Sequence, residues 1–215
     1  MGGYVKNNIY WDIRSNDDFS QENFNNWEAK LDELDRVQIY DSLHEISQSN
    51  LQKLYDKIFQ KRKSLHLRIF GYGNQDLSLL ANFTDLESLS IESSGQILNV
   101  GFLANFKQLE ELHLVCDNQD NFDFLWDVNS SLKKLSVATY SKKKTNLDLI
   151  PISNFKGLKY LYLKEYNKNI ETAISSLVKI ETLALRNISK PKNLDFISHL
   201  SKLKNLIINH VRLKA

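Results

Sequence analysis

LESLSI (86–91), LEELHL (109–114), LKKLSV (132–137), LKYLYL (158–163), IETLAL (180–185) and LKNLII (203–208) are six variants of one phrase, L-x-x-L-x-L. The fourth positions, Leu89, Leu112, Leu135, Leu161, Leu183 and Leu206, follow one another at steps of 23, 23, 26, 22 and 23 residues. A period of this size marks stacked units that bury their apolar faces against their neighbours, and it overrides any element-by-element reading. The chain reads as a solenoid.

Inside each phrase, apolar and polar residues alternate, so the phrase is a short half-buried strand with its Leu side chains in the core and its x residues facing solvent. A variable stretch follows. Then comes a second apolar group, such as LLANF (79–83), FLANF (102–106) or DFISHL (195–200), which supplies the opposite wall. About 22 residues cannot hold a strand and a full amphipathic helix, so this wall is expected to be extended or a turn of 3₁₀ or α-helix.

The six phrases at this spacing resemble the leucine-rich repeat family, in its short-repeat class of about 22 residues, over roughly residues 63–213. The resemblance implies an α/β solenoid: a curved array with a parallel sheet on its concave face and short helical or extended segments on its convex face. The family's Asn or Cys, three residues after the last strand Leu, is replaced here by Ser94, Asp117, Tyr140, Tyr166, Ile188 and Val211. No regular asparagine ladder is expected.

KSLHLRIFGY (63–72) reads as a further strand with Leu67 and Ile69 inward, and Val37-Gln38-Ile39 as one more. Between them Leu51, Leu54, Tyr55, Ile58 and Phe59 have helical spacing, with Ser49 or Asn50 as N-cap. Residues 1–35 do not repeat and concentrate Tyr4, Tyr10, Trp11, Phe19, Phe24 and Trp27, which predicts an N-terminal cap on a solenoid spanning 36–215, the two forming one continuous domain. At the far end Leu203, Leu206, Ile208, Val211 and Leu213 read as apolar residues without a covering repeat. A homodimer through that edge is one expectation.

The balance of 28 Lys and Arg against 26 Asp and Glu leaves a formal net charge of +2, far below the basic excess of a nucleic-acid binder. A single cysteine, Cys116, permits no internal disulfide and favours a reducing compartment. The opening MGGYVKNNIYWDIRSNDD lacks the apolar core of a signal peptide, and no later run approaches the roughly 18 to 20 apolar residues of a membrane span. A cytoplasmic protein with no nucleic-acid or membrane partner is expected. Lys6 stands where myristoylation of Gly2 wants Ser or Thr, and the many Asn, Lys and Ile residues hint at an AT-rich, bacterial genome.

Solvent-facing strand positions stack as columns about 4.8 Å apart, and these carry the candidate site. An acidic patch is expected at Glu87, Glu92, Glu110 and Glu111, and beside it a basic and aromatic one at Lys133, Lys134, Lys159, Tyr160, Tyr162, Lys164 and Arg186, with His113 between them. Glu110 and Glu111 face Lys133 and Lys134 and can equally form ion pairs worth about 0 to 1 kcal/mol each. Tyr160 and Tyr162 amid cations have the composition of protein-interface anchors.

Chemistry has little purchase. Glu87 and Glu110 could approach the spacing of a retaining glycosidase, but no sugar cleft accompanies them. His113 and Cys116, three apart, face opposite sides of a strand, and a buried or half-buried thiol is the simpler reading of Cys116. Histidines 44, 66, 113, 199 and 210 are dispersed without zinc spacing, and the GYG at 71–73 lacks the Lys-Ser/Thr of a phosphate loop. No catalytic residue, metal or cofactor is predicted. Lys142, Lys143 and Lys144 form a loop tip near the basic patch.

The function expected is a non-enzymatic module that binds a protein partner on its concave face, with an inhibitor or immunity-type role by analogy. The alternatives are a structural or assembly protein acting through the C-terminal edge and, remotely, a carbohydrate-active enzyme.

Overall fold

The computed structural model describes residues 9–40, 43–139, 147–165, 168–188 and 193–210. Among these residues the chain is built on a nine-stranded, all-parallel, open sheet in chain order, with a separate two-stranded parallel pair at Gln75–Asp76 and Ile97–Leu98. The strands are β1 (Tyr10–Ile13), β2 (Arg36–Tyr40), β3 (His66–Gly71), β4 (Ser88–Ser93), β5 (Glu111–Cys116), β6 (Lys134–Ala138), β7 (Tyr160–Lys164), β8 (Thr182–Arg186) and β9 (Asn205–Asn209). This is a curved α/β solenoid.

The register explains the repeat. Leu67, Leu89, Leu112, Leu135, Leu161, Leu183 and Leu206 stand side by side across seven strands, and Ile69, Ile91, Leu114, Val137, Leu163, Leu185 and Ile208 form a second column. From β3 to β8 both columns are buried, against the second apolar group of each repeat, as with Phe83, Phe106 and Phe155. That wall is made of 3₁₀ turns at Leu77–Phe83, Val100–Asn105, Asp123–Trp126, Ile150–Asn154 and Asp195–His199, with a short α-helix at Ile170–Ser175. Tight turns fit because each repeat has only about ten residues left for this side.

The long connection between β2 and β3 carries a true helix, Gln48–Leu54, running into a π-turn at Tyr55–Phe59. Its N-cap is Ser47, whose side chain accepts from Asn50 N, not Ser49 or Asn50. The helix therefore starts two or three residues earlier than its apolar spacing indicates. The π-turn, closed by Gln60 N on Tyr55 O at 2.8 Å, lets the consecutive Ile58 and Phe59 both point inward.

The segment read as an aromatic cap contributes a strand of its own. Trp11 and Ile13 of β1 pair with Val37 and Ile39 of β2 and extend the two core columns by one place. Beyond them Phe19 and Phe24, both buried, close the end. Trp11 meets Phe24 edge-on at 5.1 Å and stacks on Trp27 at 6.0 Å. Tyr4 lies outside the described residues, as do Val211 and Leu213 at the other end.

The position of the absent asparagine ladder is served by irregular links. Asp117 accepts from Thr139 Oγ1 at 2.7 Å, and Ser94 Oγ donates to Tyr72 O at 2.5 Å; Ile188 is simply buried. Tyr140 and Tyr166 lie outside the described residues. In the last repeats the chain leaves the sheet through left-handed residues at Glu165, Asn187 and His210, and Asn187 Nδ2 donates to Glu165 Oε1 at 2.6 Å.

Since every repeat is closed by its neighbours, removing one column member opens a cavity at two interfaces. Leu135→Ala is expected to cost about 2 to 5 kcal/mol of unfolding free energy, read by urea denaturation. A surface change just before the same strand, Lys133→Ala, should stay within about 0.5 kcal/mol.

Candidate functional site

Side chains between the core columns project from the concave face in three further columns. The first runs Tyr10, Arg36, His66, Ser88, Glu111, Lys134, Tyr160, Thr182, Asn205; the second Asp12, Gln38, Arg68, Ser90, His113, Ser136, Tyr162, Ala184, Ile207. The third, at the strand ends, runs Tyr40, Phe70, Glu92, Val115, Ala138, Lys164, Arg186, Asn209.

Toward the N-terminus the columns are tied to one another. Gln38 Nε2 donates to Asp12 at 3.3 Å, Arg68 donates to Gln38 Oε1 at 2.6 Å, and Arg68 grips Glu92 side-on through Nε at 2.6 Å and Nη2 at 2.8 Å. Planar guanidinium and carboxylate match in this geometry, which makes it the strongest ion pair of the face. Guanidinium groups also lie over rings: Arg36 over Tyr10 at 4.9 Å, Arg14 over Tyr40 at 5.0 Å and Arg68 over Phe70 at 4.7 Å.

His66 is held between two hydroxyls, Nδ1 with Ser88 Oγ at 2.6 Å and Nε2 with Ser90 Oγ at 2.9 Å. A neutral imidazole satisfies both, donating to one serine and accepting from the other. Burial is the main reason its pKa falls to about 4, with Arg36 and Arg68 adding to the shift and Glu111 opposing it. Burial likewise lowers the pKa of His113, against the pull of Glu92, 4.0 Å away.

In the middle of the sheet the expected ion pairs form. Glu110 pairs with Lys133, and Glu111 with Lys134 at 2.5 Å. Lys159 lies 3.7 Å from Glu181, which also takes Lys204 at 2.6 Å. All are well exposed and worth little individually. They cancel most of the charge of the two patches that the sequence separates, because residues of opposite sign one repeat apart meet across the ladder. Glu110 in particular is occupied by Lys133.

Further along, the small side chains of Val115 and Ala138 leave room, and a cavity of about 650 Å³ opens over them. It is lined by seven of the sequence-predicted residues, Glu111, His113, Lys134, Tyr160, Tyr162, Lys164 and Arg186. Glu92 borders a smaller neighbouring cavity instead, while Glu87, Glu110, Lys133 and Lys159 line neither. His66, Val115, Ser136 and Ala138, with Leu89, Leu112 and Leu135 of the core column, complete the larger cavity; Val115, Ser136 and Ala138 are small residues at outward positions, and together they let the floor sink. Lys142, Lys143 and Lys144 lie outside the described residues.

Burial lowers the Lys164 ammonium below its usual pKa; Arg186 reinforces this, and Glu165 and Asp117 oppose it. Burial raises the Tyr160 phenol, so it stays a neutral donor. Neither Tyr162 nor Arg186 makes a side-chain hydrogen bond or ion pair among the described residues. Such an assembly can stack, donate hydrogen bonds and attract an anion. Among the described residues no cluster of His, Cys, Asp and Glu could hold a metal ion, and no helix is long and apolar enough to cross a membrane.

No family model matches the sequence. Among solved structures, an internalin (inlF) from Listeria monocytogenes superposes with a TM-score of 0.53 at 21% identity, over 83% of this chain and 54% of that one. Internalin C2 from the same organism gives 0.56 at 19% identity, over 87% and 76%. Among curated proteins, mouse baculoviral IAP repeat-containing protein 1e is 32% identical over 161 residues, covering 65% of this chain and only 11% of its own length. The likeness to the internalins is one of fold.

Because the His66 pKa is about 4 in the folded chain against 6.5 unfolded, the unfolded state binds the extra proton between those values. Stability is fully present above pH 6.5 and declines as pH falls toward 4, by up to about 3 kcal/mol from this group. Urea titrations of wild type and His66→Asn should show the wild-type advantage at pH 7 shrinking by pH 4. An advantage independent of pH would contradict the assignment.

Proposed function

Since the chain is a leucine-rich repeat solenoid, we propose that it is a non-enzymatic protein-binding module whose partner sits on the concave strand face, over β5 to β8. The observation that carries this reading is the cavity over Val115 and Ala138, walled by Tyr160, Tyr162 and Arg186. Tyrosine and arginine in a partly desolvated recess are the residues on which interface energy concentrates. Toward the N-terminus the polar groups of the face are engaged with one another, which leaves them less to offer a partner.

A fixed sheet needs little reordering on binding, so affinity is not spent on folding a loop. That property suits an inhibitor or immunity-type protein holding a toxic partner in a cytoplasm, and we extend the proposal that far. A second reading is favoured by β9, where Leu206, Ile207 and Ile208 are 45%, 57% and 42% exposed. This strand takes either a further repeat or another copy of the chain.

Wild-type protein and a Tyr160→Ala/Tyr162→Ala/Arg186→Glu variant, both immobilised and exposed to lysate of the source organism, separate these readings. A protein held by wild type and bound at least about tenfold more weakly by the variant is expected. Equal retention by both overturns the concave-face reading. Recovery of the chain itself, lost on Leu206→Lys/Ile208→Lys, supports the edge instead.

A further inference from the structure

The larger cavity does not stand alone on the strand face. A second one, of about 260 Å³, is walled by Phe70 and Tyr72, and Val115 lines both. The two rings lie 6.5 Å apart, and Tyr72 is 72% exposed. Together the cavities make one trough across the strands.

The trough has two unlike ends. From Val115 the strand-end column proceeds through Ala138 and Lys164 to Arg186, so a small apolar floor rises into cations. Five strand spacings of about 4.8 Å separate Phe70 from Arg186, roughly 24 Å, which about seven residues of extended chain would span. Charge near the aromatic end is internally cancelled: Glu92 is held by Arg68, and Glu111 by Lys134. His66 and His113 are neutral at pH 7, since burial lowers both pKa values. The Arg186 side chain makes neither hydrogen bond nor ion pair among the described residues.

We propose that this trough takes an extended, acidic segment of a partner protein. An aromatic or large aliphatic side chain sits against Phe70 and Tyr72, and a carboxylate about seven residues away lies on Arg186. The proposal rests on the concave-face reading and specifies its partner's chemistry. Nucleic acid fits less well, because a phosphate chain is charged at every step, whereas the aromatic end of the trough is walled by Phe70 and Tyr72 with Asp117 beside them, and cations gather only toward Lys164 and Arg186. Another occupant with the right groups is a second copy of this chain, whose exposed Trp126 lies beside Asp123 and Asp127.

The test is to pan a phage-displayed random dodecapeptide library against the full chain and measure synthetic winners by fluorescence polarisation. The variants are Arg186→Glu, Tyr72→Ala and Tyr160→Ala/Tyr162→Ala, each checked for fold by circular dichroism. Expected winners pair an acidic residue with an aromatic or aliphatic one about seven positions away. Arg186→Glu should weaken them at least about tenfold, and exchanging the peptide's acid for lysine should restore binding to that variant.

Winners without an acidic residue, winners indifferent to Arg186→Glu and Tyr72→Ala, or no enrichment over blank support would each overturn the proposal. If such winners still depend on Tyr160 and Tyr162, the concave-face reading survives. Winners indifferent to every substitution overturn both. Self-association in sedimentation that Trp126→Ala abolishes overturns the peptide segment in favour of a second copy.

Discussion

Everything in this molecule depends on the in-register parallel ladder that stacks one repeat's core side chains on the next. Leu112 is buried because Leu89 and Leu135 flank it, and each of those is covered in the same way. No single repeat could bury this surface alone, so stability is a chain of neighbour contacts rather than the property of one central core. The constraint falls on two positions per strand and one apolar group per turn. Other positions vary at little cost, which is why the asparagine ladder could be exchanged for scattered links such as Thr139 to Asp117.

The same ladder converts sequence into surface. A residue one repeat further on becomes a lateral neighbour about 4.8 Å away, so the order of residue types along the chain is the order of chemistry across the concave face. Arg68, Glu92 and the serines around His66 form a cross-linked polar half. Val115 and Ala138 then interrupt the columns with small side chains. Beyond them Tyr160, Tyr162 and Arg186 stand with a recess beside them. Burial tunes this region: it keeps the histidines neutral and Tyr160 protonated, leaving cationic character mainly to the strand ends.

What could be read beforehand divides along physical lines. The strands and their register follow from a period that six Leu phrases repeat, and the pairing of Glu110 and Glu111 with Lys133 and Lys134 follows from that register alone. β1 was hidden because Trp11 and Ile13 fill the core positions without the Leu phrase. Apolar spacing does not single out Ser47 as N-cap, because it marks where a helix packs, not where its first turn is closed. The recess is illegible from any column taken singly. It needs Val115 and Ala138 to be small together, and the neighbouring side chains to lean aside rather than over them.

We propose that recognition is confined to the recess half of the concave face. Hydroxyl-radical footprinting of the chain with and without its recovered partner tests it most directly, because it reports side-chain exposure residue by residue. Tyr72, Tyr160 and Tyr162 are expected to lose reactivity in the complex while Tyr10 and Trp126 keep theirs. Protection at Trp126 or along Leu206, Ile207 and Ile208, with Tyr160 and Tyr162 unchanged, would contradict it.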